Sequence, residues 1–167
     1  MWLPGFAEET RETLRREAES RGVSRERFIF APFAPNYDSH LARLALADLA
    51  LDCFPYGSHT TASDALWGGV PLIGLAGDTF ASRVSASVLA AAGLSDLVTT
   101  SLADYRDLAL RYASDRQLLA VLKARVAGCR LSPLFDSKRF AGDLESAYAA
   151  IVDRSRAGLR PDHIAIS

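Results

Sequence analysis

The sequence predicts an α/β fold in which a parallel sheet carries helices on both faces. Short apolar runs of strand length alternate with amphipathic segments of helical period, which is the order typical of parallel sheets. Glycines close several of the helical segments, and prolines mark several of the turns. Apolar residues make up 49% of the 167-residue chain, which is enough for a sizeable core.

The first half of the chain contains three predicted helices and three predicted strands. Residues 1–3 are apolar but too few for a useful strand at a domain edge, so we expect the chain to begin inside a domain. Residues 6–21 form an amphipathic helix that Gly22 closes. Helical spacing of apolar residues predicts a second helix at 41–47, and a short third helix ends at Gly68-Gly69. This third helix spans 61–67, and the strands span 27–33, 49–54 and 70–75.

The second half is mostly helical. A helix at 81–92 ends at Gly93 and is followed by a short strand at 96–99. Ser101 is a natural N-cap for a helix at 102–113, and Asp115 starts another that runs to residue 127. The last predicted helix is the longest and spans 137–156.

Charge and composition restrict the partners and the compartment. The 19 basic and 20 acidic residues give a net charge of −1, which argues against a nucleic-acid-binding domain. No apolar run reaches the roughly 18 residues of a membrane span, and no signal peptide is visible. Cys53 and Cys129 lack metal-site spacing, so we expect two small buried thiols in a reduced, cytoplasmic protein.

The stretch from Ser58 to Asp64 is the strongest functional signal. It follows the strand at 49–54 and the turn Pro55-Tyr56-Gly57, and it opens a short helix. Such a geometry aims backbone N–H groups and the positive helix end at one point, where an anion such as phosphate binds. The loops at 32–40 and 76–79 also follow strands, so all three loops should meet at one sheet edge.

Individual residues of these loops allow a structural or a functional interpretation. Thr61 and Asp64 have capping-box spacing, so Asp64 is either a cap or a ligand carboxylate of the kind that reads ribose. His59 is either a hydrogen-bonded turn residue or a ligand contact. His40, at the start of a predicted helix, is either simply exposed or stacked on a flat base. Arg83 is either salt-bridged or in contact with a diphosphate.

Several familiar chemistries lack their motifs in this sequence. His40, Cys53, His59 and Asp64 match no zinc spacing, so no metal site is predicted. The nucleophile elbow G-x-S-x-G is absent, which argues against a Ser-His-Asp hydrolase. The Walker A and G-x-G-x-x-G phosphate loops are absent as well.

A series of short motifs, spread over nearly the whole chain, carries a family resemblance. The motifs are LADL at 46–49, LD at 51–52, HTTASDALWGGVP at 59–71, GDTFASRV at 77–84, SPLF at 132–135 and PDH at 161–163. In this order they closely resemble the C-terminal catalytic half of glycosyltransferases of the O-GlcNAc transferase and SPINDLY type.

The resemblance implies a GT-B architecture, in which two Rossmann-like domains face each other across a cleft. We expect residues 1–136 to be the nucleotide-sugar-binding Rossmann-like domain without its first elements, and residues 137–167 to be a C-terminal helix and tail. The implied reaction moves N-acetylglucosamine from UDP-GlcNAc to a protein Ser or Thr, with inversion and without a metal or cofactor. A protein acceptor, an N-terminal catalytic domain and helical repeats are the other implied partners, and no nucleic acid or membrane is expected.

Carried over by position, the resemblance also implies residue roles. His40 contacts the uracil, with the backbone of Ala34 at the edge of the base. Asp64 holds the ribose hydroxyls. The diphosphate is bound by His59, Thr60 and Thr61, which also reach toward the sugar.

Departures from the family pattern limit what we expect of the chain by itself. Asn36 stands where the family has a lysine, the loop to His40 is one residue longer, and a second family lysine lies upstream of residue 1. We therefore expect weak donor binding and no turnover by this chain alone. Two alternatives stay open: the same fold with UDP-glucose or GDP-fucose, and a non-catalytic nucleotide-binding or interaction fragment.

Overall fold

The computed structural model of the chain describes residues 7–166 and the backbone of residues 2–3. The chain divides into two compact units, Met1–His40 and Leu41–Ser167. The strands are β1 Trp2–Leu3, β2 Ile29–Phe30, β3 Ala50–Leu51, β4 Leu72–Leu75 and β5 Val98–Thr99. The α-helices are α1 Glu8–Ser20, α2 Tyr37–Leu44, α3 Thr60–Trp67, α4 Val84–Ala91, α5 Leu102–Ser114, α6 Arg116–Ala127 and α7 Ser137–Arg156. Single 3₁₀ turns lie at Arg25–Arg27, Ser95–Leu97, Gly128–Leu131 and Pro133–Phe135.

The first unit contains a two-stranded parallel sheet and α1. Strand β1 pairs with β2, with Trp2 opposite Ile29. The guanidinium of Arg25 lies 2.6 Å from a carboxylate oxygen of Glu12 on α1. Helix α1 is followed by Gly22, whose φ is +78°. The positive φ explains why glycine follows α1, because side chains disfavour this backbone conformation.

The second unit contains a three-stranded parallel sheet in the order β3-β4-β5. Every residue of the central strand β4 is buried, which matches its continuous apolar sequence LIGL. Side chains of α3, α4 and α6 supply much of the core around this strand. Its largest fully buried members are Leu66, Ile73, Leu89, Leu94, Leu97, Val70 and Val126.

Local capping sequences set the starts of three helices. The Ser101 side chain accepts from the Asp104 N–H at the start of α5, and Asp115 accepts from two N–H groups of α6. Asp136 accepts from the Arg139 N–H at the start of α7. These caps satisfy N–H groups that have no partner inside the helix. The predicted starts of α5 and α7 are therefore confirmed, and that of α6 is confirmed to within one residue.

The α/β class and the parallel sheet are confirmed, but several local predictions are wrong. Trp2–Leu3 does form a strand, because β2 provides a parallel partner that the sequence around residue 3 does not reveal. Strands β2, β3 and β5 are only two residues long, so the predicted strands end too late or begin too early. Cys53 is exposed rather than buried, because it lies in the loop after β3. Residues 1 and 4–6, including the predicted helix start at residue 6, lie outside the described part.

Replacing Leu66 by Ala should destabilise the second unit strongly. The Leu66 side chain is fully buried on α3, so its truncation removes apolar contacts and leaves a cavity. We expect a loss of about 2–5 kcal/mol in the free energy of unfolding, measured by urea titration. The matched control is Leu110→Ala on α5, where the side chain is 55% exposed and a change within about 0.5 kcal/mol is expected. Equal losses for the two variants would contradict this account of the core.

Candidate functional site

The buried carboxylate of Asp52 organises the loop that follows β3. The residue is 8% exposed, and its Oδ1 accepts hydrogen bonds from the Cys53 N–H at 2.9 Å and the Ser58 N–H at 2.6 Å. Its Oδ2 accepts from the Ser85 hydroxyl on α4 and from the Leu75 N–H at 3.4 Å. One side chain therefore joins the loop at residues 53–58 to β4 and α4.

The loop after β4 packs directly against this loop. The Gly57 N–H donates to the Ala81 carbonyl at 3.0 Å, and the Gly77 N–H donates to the Ser82 carbonyl at 3.1 Å. A Cβ on Gly77 would lie 2.7 Å from the Ser82 hydroxyl oxygen, and Ser82 is only 2% exposed. The close approach within the loop after β4 explains the glycine at position 77. The bond from Gly57 to Ala81 joins this loop to the loop after β3.

Helix α3 begins at this edge without a side-chain cap. His59 is its N-cap residue, and the His59 carbonyl accepts from the Ala62 N–H at 3.0 Å. Thr60 and Thr61 are exposed, and their N–H groups have no acceptor among the described residues. Unpaired N–H groups at the positive end of a helix attract anions, and the two threonine hydroxyls are additional donors.

The His59 imidazole is held against the neighbouring loop. Its Nε2 lies 3.3 Å from the Ala81 carbonyl oxygen, the same oxygen that accepts from Gly57. The ring stacks on Tyr56, with centroids 4.9 Å apart and planes 14° apart. Phe80 approaches with its ring edge, at a centroid distance of 6.2 Å. His59 therefore has a structural hydrogen bond and, being half-buried, also keeps an accessible surface.

Asp64 is buried inside α3 rather than part of a capping box. The helix begins at Thr60, so Thr61 is already its second residue and does not occupy the cap position. The capping alternative for Thr61 and Asp64 is therefore wrong, because the His59 carbonyl starts the helix two residues earlier than such a box requires. Asp64 is 6% exposed, and a small part of the residue reaches the surface.

Ala34 and His40 belong to the first unit. Ala34 is half-buried in the loop after β2. His40 does not open a helix as predicted, because α2 already begins at Tyr37. The reason is Asn36, whose side-chain oxygen accepts from the Ser39 N–H at 2.8 Å and so caps the helix early. His40 is half-buried, with its ring centroid 6.3 Å from that of Tyr37.

Arg83 is the N-cap residue of α4 and is exposed. Within the part of the chain that the structure describes, its guanidinium makes no ion pair. The structural interpretation of Arg83 as a salt-bridged arginine is therefore unsupported.

Four residues that hold this edge together received no role from the sequence: Asp52, Ser82, Ser85 and Tyr105. The Tyr105 hydroxyl, on α5, donates to the Asp52 backbone carbonyl at 2.7 Å. Burial, followed by the nearby Asp52 carboxylate and Cys53, raises the pKa of Tyr105 to about 12. Asp52 could have been found from the sequence, because it is a charged residue directly after an apolar strand. Ser85 and Tyr105 could not, because they lie far from Asp52 in the sequence.

The described residues contain neither a membrane-spanning helix nor a cluster of metal-binding side chains. No described helix combines the length and apolarity that crossing a membrane requires. Across residues 7–166, no three or more His, Cys, Asp or Glu side chains are grouped so that they could hold a metal ion.

The fold agrees with comparisons to known proteins. The family model described as "Glycosyl transferase family 41" matches residues 1–144. An α/β chain with an open helix start at its strand ends is typical of proteins that bind phosphate-bearing ligands. The match covers well over half of the chain, and the chain belongs to glycosyl transferase family 41.

Curated relatives are similar over nearly the whole chain but are much longer. A UDP-N-acetylglucosamine–peptide N-acetylglucosaminyltransferase of Caenorhabditis elegans is 34% identical over 98% of this chain and 14% of its own length. A probable enzyme of the same name, SEC of Arabidopsis thaliana, is 33% identical over 99% of this chain and 17% of its own. The probable SPINDLY enzyme of Eustoma exaltatum is 34% identical over 90% of this chain and 17% of its own length. The chain thus spans about one sixth of these relatives.

A solved structure shares the fold. A mutant of the Thermobaculum terrenum O-GlcNAc transferase superposes with a TM-score of 0.77 at 34% sequence identity. The superposition covers 88% of this chain and 29% of that protein. The predicted family resemblance is therefore confirmed, and so is the assignment to the GT-B type of α/β fold.

Removing the Asp52 carboxylate should destabilise the edge of the sheet. Asp52→Ala leaves several buried or half-buried donors without their acceptor, so we expect a loss of at least about 2 kcal/mol in unfolding free energy. The matched control is Asp48→Ala, because the Asp48 side chain is 79% exposed and its one contact among the described side chains is a surface ion pair with Lys123. Urea titration measures the loss in unfolding free energy for both variants. A smaller loss for Asp52→Ala than for Asp48→Ala would exclude a central role for Asp52.

Tyr105→Phe should remove one hydrogen bond and change the alkaline stability profile. The folded state holds the phenol proton up to a pKa of about 12, above the ordinary value of 10.0. The contribution of this proton to stability is therefore complete below pH 10 and is lost as the pH rises toward 12. We expect Tyr105→Phe to cost about 1 kcal/mol at pH 8, with the difference from the unaltered chain narrowing at pH 11.

The control for this pH profile is Tyr148→Phe, because Tyr148 is 60% exposed. Thermal unfolding of the three proteins at both pH values isolates the Tyr105 contribution from that of other titrating groups. A constant difference between the unaltered chain and Tyr105→Phe across this range would contradict the assignment.

Proposed function

We propose that this chain is the donor-binding part of a glycosyltransferase that moves N-acetylglucosamine from UDP-GlcNAc to protein Ser or Thr residues. The observation that carries the proposal is the uncapped, exposed start of α3 in a chain of glycosyl transferase family 41. The names of the relatives and of the structural neighbour support this donor and a peptide acceptor. Inversion at the sugar and independence from a metal or cofactor are part of the same proposal.

The diphosphate is assigned to the start of α3. The N–H groups and hydroxyls of Thr60 and Thr61 donate to phosphate oxygens, with the positive helix end behind them. The departing UDP gains negative charge as the glycosidic bond breaks. Fixed donors at this position stabilise that charge more in the transition state than in the ground state, which is how they would accelerate transfer.

The nucleoside contacts in this proposal follow the family resemblance. His40 contacts the uracil, and the Ala34 backbone lies at the base edge. Asp64 accepts hydrogen bonds from the ribose hydroxyls through the small part of the residue that stays exposed. A carboxylate that is held by surrounding structure suits this role because it needs little ordering when the ligand binds.

The remaining parts of the proposal concern the longer protein. We propose residues 1–136 as the nucleotide-sugar-binding domain and residues 137–167 as a C-terminal helix and tail. An N-terminal catalytic domain and helical repeats are proposed as further parts, supported by the much greater length of the relatives. The two free thiols support a reducing, cytoplasmic location.

Isothermal calorimetry with a nucleotide panel tests the donor assignment. We expect weak binding of UDP and UDP-GlcNAc, weaker binding of UMP because it lacks the second phosphate, and no binding of GDP-fucose. Thr60→Val and Thr61→Val should each weaken UDP binding about three- to tenfold, the range that one hydrogen bond supplies.

The matched control is Thr13→Val, because Thr13 is an exposed helical threonine on α1 and should leave UDP affinity unchanged. Binding of GDP-fucose alone would favour the fucose donor instead, and a preference for UDP-glucose would favour glucose. Absence of binding to every nucleotide would overturn the proposal in favour of an interaction fragment.

A further inference from the structure

The Tyr56 ring covers one face of the His59 imidazole. The two rings are 4.9 Å apart between centroids and nearly parallel, at 14°. Tyr56 is itself 65% exposed, so it contributes little to the core that would explain an aromatic residue here. Its main described contact is therefore the side chain that follows it by three positions.

The hydrogen bond of His59 restricts which ring nitrogen carries the proton. A backbone carbonyl only accepts hydrogen bonds, so the Nε2 that lies 3.3 Å from the Ala81 carbonyl oxygen is the protonated nitrogen. In the neutral imidazole, Nδ1 is then an acceptor with a free lone pair. Nδ1 does not cap α3, and it has no hydrogen-bond partner within residues 7–166.

This arrangement suits one kind of ligand atom. Phosphate oxygens are acceptors, so a neutral His59 with its only N–H bound to Ala81 has no proton to offer them. A sugar hydroxyl or an N-acetyl N–H is a donor and is complementary to Nδ1. The diphosphate is left to the N–H and hydroxyl groups of Thr60 and Thr61, which need acceptors.

We propose that Tyr56 is a positioning residue that holds His59 so that its Nδ1 accepts a hydrogen bond from the donor sugar. The inference rests on the proposed function for the identity of the ligand. It adds a positioning residue, Tyr56, to that function, and of the two contacts that the resemblance implies for His59 it keeps the one with the sugar. Phe80, whose ring edge lies against His59, supports the same orientation from the second loop.

Calorimetry on Tyr56→Ala, Tyr56→Phe and the unaltered chain at pH 8 tests the sugar contact. We expect Tyr56→Ala to weaken UDP-GlcNAc binding about tenfold, the factor that one hydrogen bond supplies, while UDP binding changes less than about twofold. Tyr56→Phe keeps the stacked ring and should keep the affinity for UDP-GlcNAc. Tyr148→Ala is the matched control, because Tyr148 is 60% exposed on α7.

Nitrogen NMR of the imidazoles tests the positioning independently of ligand. The unaltered chain and Tyr56→Phe should show His59 as the Nε2-protonated tautomer, and Tyr56→Ala should show a mixture. His40→Gln and His163→Gln assign the signals, since the chain has three histidines.

Equal loss of UDP and UDP-GlcNAc affinity in Tyr56→Ala would overturn the proposal, as would an unchanged affinity for both. An unchanged tautomer in Tyr56→Ala would overturn the positioning role. If the unaltered chain binds UDP but not UDP-GlcNAc, the sugar contact fails while nucleotide binding stands. If it binds neither, the proposed function fails and takes the sugar contact with it, and the imidazole signals still decide whether Tyr56 holds His59.

Discussion

The Asp52 carboxylate accepts hydrogen bonds from the loop after β3, from β4 and from α4, and the geometry of the site depends on this set of contacts. A buried carboxylate is costly unless donors surround it, so the loop, the strand and the helix must all stay in place around Asp52. Tyr105 adds a bond to the backbone carbonyl of the same residue. The start of α3, which follows this loop directly, is therefore held at a defined point of the sheet edge.

At this edge the backbone N–H groups of the loop have hydrogen-bond acceptors within the chain, whereas those at the start of α3 do not. The N–H groups of Cys53, Gly57 and Ser58 are used internally, by Asp52 and by the Ala81 carbonyl. Those of Thr60 and Thr61 are left without an acceptor in the described chain. Because the internal bonds fix the loop before any ligand arrives, little ordering would accompany anion binding at the helix start. This combination of a rigid support and open donors suits a site that must stabilise charge on a leaving group.

Much of the fold could be predicted because its signals are local. Ser101, Asp115 and Asp136 cap the helices that follow them, and the continuous apolar run at Leu72–Leu75 marks the buried central strand. The errors arose where distant pairing or an overlooked local cap decided the outcome. Trp2–Leu3 is a strand only because Ile29–Phe30 pairs with it, and Tyr37 opens α2 only because the Asn36 side chain turns back to the Ser39 N–H.

The candidate site divides in the same way. The sequence alone was sufficient to place a helix start in the stretch from Ser58 to Asp64 and to indicate the family, since strand, turn and helix signals lie within a few residues. It did not decide whether Asp64 is a helix cap or a ligand contact, and it indicated no role for Asp52, Ser85 or Tyr105. Those points depend on which atoms meet across 22 to 53 residues of chain, as in the bonds of Ala81 to His59, Ser85 to Asp52 and Tyr105 to Asp52. Residue types and spacing do not encode such contacts directly, because they exist only after the strands and helices have packed.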